Sequence, residues 1–158
     1  MNLPGVMGGS EAELFPLKEG SIVFLGEPLN ELHEHGIRGS GDALNGASAL
    51  GILLQGMPKH FQSEVYLLTK LGRDYEQIMD VCRRSGVKED LIIHDPTRSV
   101  GRYGIIPTAD GKWEPTFDRA NSAATTFCID DLKKKVGDGG TTIEDFIKTK
   151  TSILWISG

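Results

Sequence analysis

A chain of 158 residues is the length of one ordinary domain, able to remove roughly 68–70% of its unfolded surface from water, so neither disulfides nor a structural metal is required to stabilise it. A formal net charge of −5 argues against a protein that holds polyanions by counterion release, and no run approaches the ~20 apolar residues of a membrane-spanning helix. Cys82 and Cys128 have no metal-ligand spacing and fall short of a secreted disulfide framework, which points to a reducing, cytoplasmic compartment; the charge and the short apolar runs leave neither nucleic acid nor membrane as an expected partner.

Residues 1–20 carry several glycines and scattered acids without helix or strand periodicity and are expected to be a mobile extension, with no basic segment leading into an apolar one as in a signal peptide. Order begins at Ser21. The short apolar run Ile22-Val23-Phe24-Leu25, closed by Gly26, has the pattern of a strand buried on both faces of a parallel sheet. Asn30 to His35 alternates weakly, as an exposed strand does, and Gly41 to Leu54 reads as a helix capped by Asp42. A second buried strand follows over 64–69, then a helix over 75–85 ended by Gly86, then a third strand at Leu91-Ile92-Ile93. This β-α-β-α-β order predicts a parallel α/β sheet with helices on both faces.

The middle of the chain changes character. Arg102 to Pro107 and Lys112 to Phe117 flank the turn signal Ala109-Asp110-Gly111 and predict an antiparallel hairpin, the body of a small flap or lid with strands near 29–35 and 98–118. A short helical segment after Asn121, a glycine-rich loop at 137–140, a helix near 143–148 and a last apolar strand over 152–156 complete the reading. The chain then stops at Ser157-Gly158, on a strand that reads as central. The expected unit over 21–158 is therefore the first part of a truncated α/β domain.

The sequence contains no GxxxxGK[ST], GxSxG, HExxH or CxxC, so the signatures of a Walker phosphate cradle, a hydrolase elbow and the common zinc sites are absent. His33 and His35 share a face if their segment is a strand, but lack an obvious third ligand; two exposed flap histidines is the favoured reading. Ser40-Gly41-Asp42-Ala43-Leu44-Asn45 places small and polar groups at a helix start, where free amides, Asp42 and Asn45 suit a polyhydroxylated ligand. Equally, Asp42 caps the helix and Asn45 faces solvent. Arg119 either forks a carboxylate or phosphate or forms a surface pair with Asp118 or another acid.

Four segments together, Gly26-Glu27, Gly41-Asp42-Ala43-Leu44-Asn45, Gly101-Arg102-Tyr103 and Asp118-Arg119-Ala120-Asn121-Ser122-Ala123-Ala124, resemble the ribokinase/PfkB carbohydrate kinases, above all the branch acting on 2-keto-3-deoxygluconate. The resemblance runs from about Ser21 to the end of the sequence, with Ser40 standing where the family usually has the first of two glycines. It implies a ribokinase-like (Rossmann-like) α/β domain with a small antiparallel β lid. Gly41, Asp42 and Asn45 are then expected against the sugar hydroxyls, Tyr103 above the sugar, and Arg119 at the acid end of a sugar acid. Family members are nearly twice as long, and their second half supplies the Gly-Ala-Gly-Asp anion hole, the catalytic Asp and the ATP pocket, none of which is in this sequence. ATP and Mg2+ are thus expected for a full-length enzyme and none for this chain, which has no catalytic or metal residue of its own and is expected to be inactive alone. A lid exposing one sheet face commonly finds a partner, so a homodimer or higher oligomer through the lid is also expected. The alternative is a non-catalytic sugar-binding or oligomerisation module.

Overall fold

A computed structural model describes residues 20–59, 63–137 and 140–157. The expected mobile extension lies, apart from Gly20, outside the described residues, as does the middle of the 137–140 loop.

The apolar run at the start becomes β1 (Ser21–Leu25), followed by β2 (Leu29–His33), β3 (Gly36–Ser40), α1 (Asp42–Gln55), β4 (Val65–Leu71), α2 (Glu76–Ser85) and β5 (Ile92–His94). The chain continues with β6 (Gly101–Pro107), β7 (Trp113–Asp118), two short 3-10 turns, α3 (Ile143–Lys150) and β8 (Thr151–Ile156). Strands β5, β4, β1 and β8 form one sheet in that order, every neighbouring pair parallel. Alternate residues of its strands feed two cores. Ile22, Phe24, Val65, Leu67 and Leu71 pack with α1 and α2 on one face, while Val23, Tyr66 and Leu68 pack with Ile143 and Phe146 of α3 on the other.

The two faces follow from the order of the strands. Moving from β1 out to β4 and β5 by right-handed crossovers keeps α1 and α2 on one face; returning across β1 to β8 reverses the direction and places α3 on the other. The reversal creates a topological switch point at the carboxyl ends of β1 and β8, where open α/β sheets form ligand crevices. Within the described sheet β8 is an edge strand rather than a central one, leaving Ile153, Leu154, Trp155 and Ile156 exposed.

The second sheet has the order β3-β2-β6-β7. It corrects the expected lid in two ways. The segment 36–40, not recognised as a strand, pairs antiparallel with β2 to make a hairpin. The lid is also not wholly antiparallel, because β2 and β6 run parallel and join the two hairpins. Gly36, Arg38, Gly39 and Ser40 carry none of the β-branched alternation that marks a strand from sequence, and pairing with β2 supplies what propensity does not. The hairpin turn also places His35 beyond the end of β2, so His33 and His35 do not share a strand face.

Asp131 fastens the 3-10 segment to the end of β4. Its side chain is 6% exposed and lies 3.3 Å from Lys70 Nζ and 2.8 Å from Lys134 Nζ, and the Cys128 amide donates to it at 3.1 Å. Burial raises the carboxyl pKa, but the Lys134 ammonium, the Cys128 amide and the Lys70 ammonium outweigh it and hold the group at about 2. Because this value lies below the ~3.9 of an unfolded aspartate, the stabilisation is present above about pH 4 and is lost as pH falls toward 2. Asp131→Asn is expected to destabilise the fold by about 2–4 kcal/mol at neutral pH. Urea unfolding as a function of pH should show the gap between wild type and variant closing below about pH 4.

Candidate functional site

At the switch point β1 ends in Gly26-Glu27-Pro28, and the backbone of 27–29 lies under the start of α1. Gly41 is the N-cap of that helix, at φ 103° and ψ 146°. Its carbonyl accepts the first helical bond from the Asn45 amide at 2.8 Å. A Cβ at this position would stand 2.7 Å from the Glu27 carbonyl oxygen and 3.0 Å from Pro28 Cα. Gly41 is therefore required first by the chain's own close packing. Asp42 is the first residue inside the helix and makes no capping hydrogen bond, which corrects the expected cap. The side chains of Asp42 and Asn45 are exposed and have no hydrogen-bond partner among the described residues.

A cleft of about 420 Å³ opens here between the parallel sheet and the lid, lined by Glu27, Leu29, Ser40, Gly41, Asp42, Asn45, Tyr103, Phe117, Arg119 and Ser157. All five residues singled out from the sequence, Gly41, Asp42, Asn45, Tyr103 and Arg119, meet at it. Tyr103 and Phe117 are cross-strand partners on β6 and β7, and their rings lie 5.0 Å apart between centroids, tilted by 37°, where both line the cleft. Such a pair offers an apolar wall to a carbon skeleton, while the opposite wall at the helix start offers donors and acceptors.

Arg119, just beyond β7, is not paired with its neighbour Asp118. Its Nε donates to Glu27 Oε2 at 2.6 Å, and the Ser122 hydroxyl donates to the other oxygen, Oε1, at 2.6 Å. Gly101 lies flat against the same carboxylate, since a Cβ there would be 2.6 Å from Oε1. Glu27 was missing from the expected site residues, as were Ser40, Phe117 and Ser157. An acid directly after the first strand, at the crevice end of a parallel sheet, is the sequence signal that could have found Glu27.

The base of the lid is held by a second acid. Asp74 Oδ1 accepts the Val100 amide at 2.6 Å, Asp74 Oδ2 lies 3.3 Å from Arg102 Nη2, and the Asp74 carbonyl accepts from Asn30 Nδ2 at 2.9 Å. A second depression, beside Arg98, Arg102, Asp118 and Asn121, offers less for an anion because Arg98 and Arg102 face Asp95 and Asp74. Among the described residues no three or more His, Cys, Asp or Glu side chains gather to hold a metal ion, and no helix is long and apolar enough to cross a membrane.

No protein-family model and no curated protein matches the sequence. Solved structures do match the fold. A fructokinase from Xylella fastidiosa superposes with a TM-score of 0.58 and 21% identity, covering 72% of this chain and 36% of its own. A ribokinase from Cryptococcus neoformans var. grubii in complex with ADP gives 0.54 and 15%, covering 87% and 42%. A 2-dehydro-3-deoxygluconokinase from Thermotoga maritima gives 0.53 and 20%, covering 69% and 35%. The described residues thus have a ribokinase-like fold, and the chain spans between 35% and 42% of the length of these three sugar kinases.

The packing at Gly41 can be separated from the effect of its positive φ alone. Gly41→Ala is expected to cost about 2–4 kcal/mol, because strain and overlap with the Glu27 backbone add. Gly111→Ala, at φ 79° with nothing within 4 Å of the added Cβ, should cost about 1 kcal/mol. Midpoints of chemical unfolding for the two variants check the difference.

Proposed function

We propose that this chain is the sugar-binding and lid part of an ATP-dependent sugar kinase of the ribokinase/PfkB family, whose substrate is 2-keto-3-deoxygluconate or a related sugar acid. The observation that carries the reading is the convergence of five residues from three distant segments on one cleft, at the switch point of a parallel sheet and beneath a lid. Asp42 and Asn45 are free to bond sugar hydroxyls, Tyr103 and Phe117 cover the carbon skeleton, and the guanidinium of Arg119 faces the acid end. A cytoplasmic setting agrees with two cysteines that are both free.

Phosphoryl transfer depends on positioning and on stabilising charge at the transferred group. The Gly-Ala-Gly-Asp segment that the resemblance assigns to the transferred phosphate does not occur in the sequence. The contribution of this chain is to bind and orient the sugar and to shield it from water. The second reading, a non-catalytic sugar-binding or oligomerising module, is favoured by one observation. The lid exposes Leu32, Ile37, Ile105, Ile106, Trp113 and Phe117, with Trp113 68% exposed, as a surface that self-associates does.

Calorimetric titration of the 158-residue chain with 2-keto-3-deoxygluconate, fructose, ribose and ATP checks the proposal. The sugar acid is expected to bind, with no substrate-dependent ATP turnover by material of verified intact mass. Binding of ATP without any sugar would point instead to a nucleotide domain, and sedimentation showing self-association with no ligand would favour the second reading. Arg119→Ala should weaken the sugar acid about ten-fold or more while leaving fructose within about two-fold, since a forked charged contact is lost for one ligand only.

A further inference from the structure

Arg119 and Glu27 are 92 residues apart in sequence, yet their contact is among the shortest polar contacts at the cleft. We infer that Glu27 is the positioning residue for Arg119 and sets how strongly the cleft prefers an anionic ligand, an inference that rests on the reading of the cleft as a sugar site.

The geometry of the carboxylate comes first. Glu27 is 11% exposed and Arg119 46% exposed. Both oxygens of Glu27 are engaged, Oε2 by Arg119 Nε and Oε1 by the Ser122 hydroxyl, and the Gly101 backbone closes one side of the group. A carboxylate held at both oxygens cannot rotate to follow a mobile partner, so the arginine must come to it. Guanidinium has five N–H donors in one plane. A bond through Nε leaves the Nη1/Nη2 edge, one of the edges that can fork a carboxylate, uncommitted among the described residues. The long arginine stem is then ordered before a ligand arrives, which removes part of the entropy otherwise lost on binding.

The electrostatic consequence opposes the geometric one. Two carboxylates, Glu27 and Asp42, and one guanidinium line the cleft. Its formal charge is therefore −1, counted over Glu27, Asp42 and Arg119. A free anion gains little from that field and is recognised through the forked contact alone, whereas a neutral polyol meets no such opposition. Glu27 thus trades anion affinity for an aligned arginine.

The two effects separate in two variants. Glu27→Gln keeps an oxygen for Arg119 Nε and removes the charge; Glu27→Ala removes both. Calorimetric titration of wild type and both variants with 2-keto-3-deoxygluconate and with fructose reads the ratio of the two affinities. That ratio is expected to rise on the order of five-fold in Glu27→Gln and to fall below the wild-type value in Glu27→Ala, with fructose little changed in either. Equal ratios in the two variants would mean that Glu27 acts by charge alone, and an unchanged ratio in both would mean that it only supports the fold; either result overturns the inference. If wild type binds neither probe, the sugar reading of the cleft and with it the anion preference fail, and the NMR signal of the Arg119 Nε–H in the ligand-free chain decides separately whether Glu27 positions Arg119. A slowly exchanging signal that persists in Glu27→Gln and is lost in Glu27→Ala supports it. A fast-exchanging signal in wild type overturns it.

Discussion

The turn Gly26-Glu27-Pro28 at the end of β1 is the point to which the other parts of the site are fitted. Its backbone lies in van der Waals contact with Gly41, which fixes where α1 begins. Its carboxylate collects Arg119 and Ser122 from the far side of the lid and rests on Gly101 at the start of β6. One acid at one strand end thus couples the first helix, the entry of the lid and its exit. The position follows from sheet topology, because the direction of winding reverses between β1 and β8 and leaves the loop after β1 without a helix above it.

The two sheets are stabilised by different physics. The parallel sheet buries side chains on both faces, and its strands contribute fully covered residues such as Val23, Leu67, Leu68 and Leu71. Each covered leucine or valine contributes on the order of 1.5–3 kcal/mol, which makes this sheet the scaffold. The lid has no comparable core; Ile105 and Ile106 are about half exposed and Trp113 is 68% exposed. It is attached at its base by the polar groups of Asp74 and Glu27 together with buried Leu29 and Val100 and the close approach of Gly39 to the backbone of α2.

Legibility in the sequence followed the range of the interactions involved. β1, β4, α2 and the β6-β7 hairpin were readable because local periodicity, the turn at Ala109-Asp110-Gly111 and the closing Gly86, at φ 72°, specify them within a few residues. β3 was not, because Gly36 and Gly39 have no side chain to alternate and the strand exists through its pairing with β2. Asp42 reads as a cap by residue type alone, yet the close approach of Gly41 to the 27–29 backbone moved the cap one residue earlier and left the Asp42 carboxylate free to face the cleft. Arg119 was recognisable as a charged group near polar neighbours; that its partner is Glu27 rather than Asp118 depends on how β7 returns to the sheet.

By itself the sequence determined the α/β class, the order of the main elements and the residue types available for chemistry, since these rest on composition, periodicity and turn residues that act over short stretches. It also supplied, through the motifs around Gly41, Tyr103 and Arg119, the resemblance to sugar kinases. Only the tertiary structure decided that these residues share one cleft with Glu27 at its floor, that the lid joins its hairpins by a parallel pair, and that β8 lies at the edge of the described sheet. Those features are contacts between segments tens of residues apart, and no local pattern encodes which distant segment a strand or a carboxylate will meet.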